Sequence, residues 1–115
     1  MGDNLVVRLS TCPTATIHAP PDVVWLLLTD PSEYAHWGLH VVSVDPPGLA
    51  HAGQRIEFRE RALGRSFPVT FAIREVREAP HRAIRLDVRL PFGIVNRELI
   101  TCATLSPDAC FVVFN

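Results

Sequence analysis

Apolar and polar residues alternate with a period of two over most of this chain, and that alternation predicts strands. Leu5 to His18 reads as a long first strand. Val7, Leu9 and Thr11 fall on one face, Arg8, Ser10 and Cys12 on the other. Pro13 cannot donate to a ladder, which places a bulge or a sheet edge there, and Ala15 and Ile17 resume the alternation beyond it. The period then changes. "APPDVVWLLLTD" reads as a short helix, with Pro21 in the first turn, Asp22 at the positive end of the dipole, and Val23 to Leu28 apolar all round. Asp30 precedes a proline and stops it. The same Asp30 opens a second brief helix, with Pro31 at its first position and Glu33 at its third. That is a capping-box arrangement, and the helix ends near Trp37-Gly38.

Everything after Gly38 returns to a period of two. "LHVVSVD" is a strand closed by Pro46-Pro47-Gly48, and "QRIEFRER" sets Ile56 and Phe58 against Arg55, Glu57 and Arg59. Leu63-Gly64 is a hairpin turn. Phe67, Val69, Phe71 and Ile73 share a face of the next strand, until Val76 breaks the parity and places a bulge near Arg74-Glu75. "RAIRLDVRL" turns Ile84, Leu86, Val88 and Leu90 to one side and Arg85, Asp87 and Arg89 to the other. "PFG" is a turn, "IVNRELITCATL" a strand, "SPDA" a turn and "CFVVFN" the last strand. Consecutive strands joined by short turns make an antiparallel meander. The expected fold is α+β: a curved antiparallel sheet of about six to seven strands, with two short helices after strand 1.

Composition narrows the function classes. The 115 residues are 48% hydrophobic and 20% charged, which describes one globular domain. A net charge of −1 gives no overall field for nucleic acid or for an anionic membrane. No signal peptide is read at the N-terminus, and the longest apolar run, Val23 to Leu28, is far short of a membrane span. All 11 basic residues are arginine, which points to a bacterial, GC-rich source. Cys12, Cys102 and Cys110 lack metal-like spacing and read as buried free thiols in a reducing cytoplasm.

"ATIHAPPDVVWLLLTDPSEYAHW" resembles the opening of START-like helix-grip proteins, the superfamily of polyketide cyclases/dehydrases and lipid-transfer domains. The matching positions are Ala19-Pro20, Trp25, Asp30-Pro31 and Trp37, and the strand–helix–helix–six-strand order matches along the whole chain. The resemblance implies a long C-terminal helix lying in the curved sheet and closing an apolar cavity. No such helix follows Asn115, so residues 1–115 are expected to form a single START-like domain that is C-terminally incomplete. On that reading Ile56, Phe58, Phe67, Val69, Phe71, Ile84, Leu86 and Val88 present a concave face that the two helices cap at one end only. Leaving such a face wet forgoes on the order of 10 kcal/mol, so a second copy is expected to cover it.

The resemblance implies binding of a small hydrophobic ligand, a lipid or a polyketide. The alternatives are cyclase, aromatase or dehydratase chemistry on a poly-keto chain, and a co-chaperone-like interaction domain. The expected cavity residues are Trp25, Trp37, Phe58, Phe67, Val69, Phe71, Ile84, Leu86, Val88 and Phe92, with Leu63 and Phe92 as gates at the mouth. His36, near that mouth, is a candidate general acid or base, set against a surface histidine at a helix end. Arg97 and Glu98 point to opposite faces. If Leu99 faces in, so does Arg97, which would then read a carboxylate or enolate. If Ile100 faces in, so does Glu98. His18, His40, His51 and His81 have no partners at ligand spacing, so no metal is expected. No cofactor is expected either: there is no glycine-rich phosphate loop and no nucleophile elbow.

Overall fold

The computed structural model describes residues 14–115. Its sheet has seven strands: β1 (Thr14–Ile17), β2 (His40–Asp45), β3 (Arg55–Ala62), β4 (Arg65–Arg77), β5 (Arg82–Arg89), β6 (Val95–Ser106) and β7 (Ala109–Phe114). All neighbours are antiparallel, in the order β1-β7-β6-β5-β4-β3-β2, so β2 to β7 form the expected meander and β1 closes onto β7. The N-terminal part of the long first strand, with Cys12 and the expected bulge at Pro13, lies outside the described residues.

The bulge expected near Arg74-Glu75 is present, where the β4–β5 register shifts between Ile73 and Glu75. Two further irregularities, between Val41 and Ser43 in β2 and between Thr104 and Ser106 in β6, left no parity break legible beforehand. Each bends its strand and adds to the curl of the sheet.

Helix α1 (Pro21–Thr29) is followed by a 3₁₀ helix (Pro31–Trp37), and both lie on the concave face. The capping box is only half realised. The Asp30 carboxylate accepts from the Ser32 amide and hydroxyl, while Glu33 turns to His36 instead of reaching back. Gly38, at φ 84°, ends the 3₁₀ helix in the left-handed region that glycine enters without a Cβ clash.

Every carbonyl in the last turn of α1 has a donor, and all but that of Leu26, whose bond to Asp30 continues the helix ladder, find it outside that ladder. Trp25 O accepts from the Thr29 hydroxyl, Leu26 O from the Asp30 amide, Leu27 O from the Trp37 indole, Leu28 O from the Tyr34 hydroxyl and Thr29 O from the Ala50 amide. A helix end buried against a sheet needs such partners, since water cannot reach it. At the other end, Arg82 of β5 pairs with Asp22 and lies over the Trp25 ring, 5.8 Å from its centroid.

The core sits between these helices and one half of the concave face. Val24, Trp25, Leu28 and Tyr34 meet Ile56, Ile73, Ile84, Leu86, Ile100, Cys102, Cys110 and Val112. This corrects the expectation that the whole face stays wet without a second copy. Ile56, Phe58, Val69, Ile84 and Leu86 are buried within one chain, and Phe67, Phe71 and Val88 are half-buried. The reason is local: the helices lie along the sheet, anchored by their own terminal carbonyls.

Candidate functional site

A line of aromatic rings crosses the concave face. Phe58 meets Phe71 edge-on at 4.7 Å, Phe71 meets Tyr34 at 6.4 Å, Tyr34 meets Trp37 at 4.9 Å, and Trp37 meets Phe114 at 6.4 Å. These separations suit tilted and edge-to-face packing. Tyr34 and Trp37 come from the 3₁₀ helix, so the line marks how far the helices reach. On one side lies the sealed core. On the other, the register places Phe67, Val69, Val88, Asn96 and Glu98 on the same face of β4, β5 and β6. That half of the sheet ends in the β3–β4 and β5–β6 turns.

Glu98 is the polar group the sequence left undecided. Ile100 stands opposite Ile84 in the core and Glu98 opposite Leu86, so Glu98 faces inward. It is half-buried, and no hydrogen bond or ion pair engages its carboxyl among the described residues. Burial in this apolar setting raises its pKa above the ordinary glutamate value. A carboxyl so placed holds its proton to higher pH and can donate a hydrogen bond to a ligand.

The other candidates separate. Arg97 is exposed and stands opposite Asp87 on the convex face, so an inward Arg97 is ruled out by the phase of β6. His36 is exposed and lies 3.1 Å from Glu33 on its own helix, which is the surface-histidine arrangement. Phe92 is 92% exposed, in the Pro91–Gly93 turn, and does not line the cavity; Leu63 is 80% exposed at the β3–β4 turn. Trp25 is buried in the core beside Arg82, while Trp37 is half-buried at the boundary. Ile84 and Leu86 are sealed beneath the helices, which leaves Phe67, Phe71 and Val88 as the expected cavity residues that remain half-open.

A groove of about 690 Å³ lies elsewhere, between the 3₁₀ helix and the β2 edge, and none of the expected cavity residues lines it. Its walls include Pro31, Ala35, Leu39, Val41 and Leu49, and the Asp30 carboxylate at its rim is already engaged by Ser32.

Cys102 and Cys110 are free and buried. Burial, and then the neighbouring Cys110, push the Cys102 thiol up to about 11, which keeps it protonated and unreactive. Among the described residues no three His, Cys, Asp or Glu side chains form a group that could hold a metal ion. No helix among them is long and apolar enough to cross a membrane.

Comparison with known proteins agrees with this architecture. The family described as polyketide cyclase / dehydrase and lipid transport matches residues 10–115. Protein Ms6760 from Mycobacterium smegmatis superposes with a TM-score of 0.65 at 17% identity, over 90% of this chain and 69% of its own. ChR145 from Cytophaga hutchinsonii superposes with a TM-score of 0.55, also at 17% identity, over 90% of this chain and 73% of its own. At that identity the likeness is one of fold. No curated protein matches the sequence.

Proposed function

The chain belongs to the polyketide cyclase / dehydrase and lipid transport family, and from that premise we propose that the open half of its concave face binds a small hydrophobic ligand, lipid-like or polyketide-like. One observation carries the reading. At and beyond the aromatic line, half-buried Phe67, Phe71 and Val88 adjoin one inward carboxyl, that of Glu98, which no group among the described residues engages. Ligand sites have this make-up: mostly apolar walls, with a few polar groups that orient the occupant. Titration with a fluorescent fatty acid, followed through probe emission and melting temperature, tests it. Saturable binding is expected, weakened about tenfold by Val88→Gln, since a polar amide then meets the apolar tail. Affinity unchanged in a folded Val88→Gln variant would place the ligand elsewhere.

The same carboxyl favours a second reading, cyclase or dehydratase chemistry on a poly-keto chain. A glutamate whose burial raises its pKa is better suited than an exposed one to protonate an enolate or a leaving hydroxyl. Turnover of a poly-keto mimic is then expected to be lost in Glu98→Gln and kept in His36→Ala. Loss in His36→Ala with retention in Glu98→Gln would reject that assignment.

A further inference from the structure

Two hairpin tips stand out because their leading side chains do nothing for the fold. Leu63 and Phe92 have φ of 54° and 67°, and each is followed by a glycine that also has positive φ, Gly64 and Gly93. Side chains with a Cβ pay for the left-handed region, and Asn or Gly is the usual choice there. Burial does not offset that cost here. Leu63 is 80% exposed and Phe92 is 92% exposed, and beside Phe92 the chain continues with Ile94 and Val95, both exposed. An apolar residue kept in a strained, fully wetted position points to a role outside the folded chain.

The meander brings both tips to one end. The β3–β4 and β5–β6 turns lie at the same end of an antiparallel sheet, opposite the β2–β3, β4–β5 and β6–β7 connections. This is also the end where the concave face is left open by the helices.

Most of the arginines divide along the same axis; Arg55, exposed at the far end of β3 opposite Asp45, is the exception. Arg74, Arg77, Arg82 and Arg85 sit toward the helix-covered end and all contact carboxylates, those of Asp87, Glu75 and Asp22. Arg59, Arg61, Arg65, Arg89 and Arg97 lie toward the two tips, are exposed, and have no carboxylate partner among the described residues. Of the carboxylates on that half, Glu60 and Glu98 belong to the concave face, while Glu57 shares a row with Arg89 and Asp87 stands opposite Arg97 on the convex face. A net charge of −1 thus conceals a local arginine excess at the β3–β4 tip, where Arg59, Arg61 and Arg65 meet Glu60.

We propose that this end docks peripherally on an anionic lipid surface, with Leu63 and Phe92 entering the headgroup layer and the surrounding arginines meeting lipid phosphates. The pairing of exposed apolar tips with unpaired cations fits an interface that is apolar within and anionic at its surface. A nucleic acid or an acidic protein would match the arginines but would leave two wet apolar tips unexplained. Docking this way needs no membrane span, and it turns the open half of the concave face toward the bilayer. It requires no ligand in the cleft, so it stands or fails separately from the proposed function.

Flotation of the full chain with vesicles tests it, comparing phosphatidylcholine alone with phosphatidylcholine containing phosphatidylglycerol. Capture is expected on the anionic vesicles and lost in high salt. Leu63→Asn with Phe92→Asn should weaken capture about tenfold, through loss of apolar insertion. Asparagine tolerates the left-handed region, so this variant keeps the fold, and its melting curve confirms that. Arg61→Gln with Arg65→Gln should also weaken capture, whereas Arg74→Gln with Arg85→Gln should not. The proposal is overturned by absence of capture at low salt, by capture indifferent to the two asparagines, or by retention on an oligonucleotide without capture by vesicles.

Discussion

Glu98 shows how one residue's phase decides a site. Around it, Leu99, Thr101, Ala103 and Leu105 form one set of alternate positions, and Ile100, Cys102 and Thr104 form another. Both sets read as inward. Register resolves the choice, because Ile100 pairs with Ile84 in the core. The burial that raises the Glu98 pKa also sets a pH signature. Its folded pKa lies above its unfolded value, so the native state holds the proton more tightly and stability falls as pH rises from the unfolded toward the folded pKa. Above that window the deficit is fully present; below it there is none. Glu98→Gln should therefore melt higher than the parent chain at neutral pH and show no advantage under acid conditions that protonate both states. Thermal melts at several pH values check this, and an advantage that does not vary with pH would assign the gain to something other than ionisation. Tyr34, buried and close to Asp30, has its phenol pushed up to about 12 and remains a hydrogen-bond donor to Leu28 O throughout.

At the scale of elements, turns and helix ends carry the departures from simple patterning. The 3₁₀ helix occupies the segment that reads as an ordinary capped helix, because Ser32 takes both bonds to Asp30 and the aromatic residues at its far end are drawn to the carbonyls of α1. The β3–β4 turn was legible as a turn from Leu63-Gly64, but its strain was not, since a type I′ geometry shows only in the dihedrals. Leu63 φ is 54° and Gly64 φ is 73°. Replacing Leu63 by Asn, which suits this position, should raise stability by about 1 kcal/mol in chemical denaturation. A loss of stability would mean that Leu63 packs against something in the folded chain.

For the whole molecule, the helices cover one half of a seven-stranded sheet and leave the other half thin. The Cα radius of gyration is 14.3 Å, above the roughly 13 Å typical of a compact domain of this length. Half-buried Phe67, Phe71, Val88 and Phe114 border the uncovered part. On the proposed reading, that surface takes either a ligand or a second copy. The ligand-free chain is expected to self-associate through it and to shift toward its 12.8 kDa monomer when a fatty-acid probe is added. Light scattering over a dilution series reads this directly; a ligand-free monomer at every concentration would exclude self-association.

The sequence alone determined the element order, the two short helices, the β4 bulge and the apolar parity of β3, β4 and β5. Those features are local: a period of two, a proline, or a change of parity fixes them within a few residues. Only the tertiary structure decided which face of β6 turns inward, how far the helices seal the sheet, and that Phe92 leaves the cavity for solvent. Among the described residues it also separated arginines that pair with carboxylates from those that do not, which a net charge cannot do. These outcomes depend on partners distant in sequence: Ile100 on Ile84, Trp37 on Leu27, Arg82 on Asp22. Periodicity in one segment carries no information about which distant segment will meet it, so the faces and ends on which the two proposals rest emerge only when the strands are set side by side.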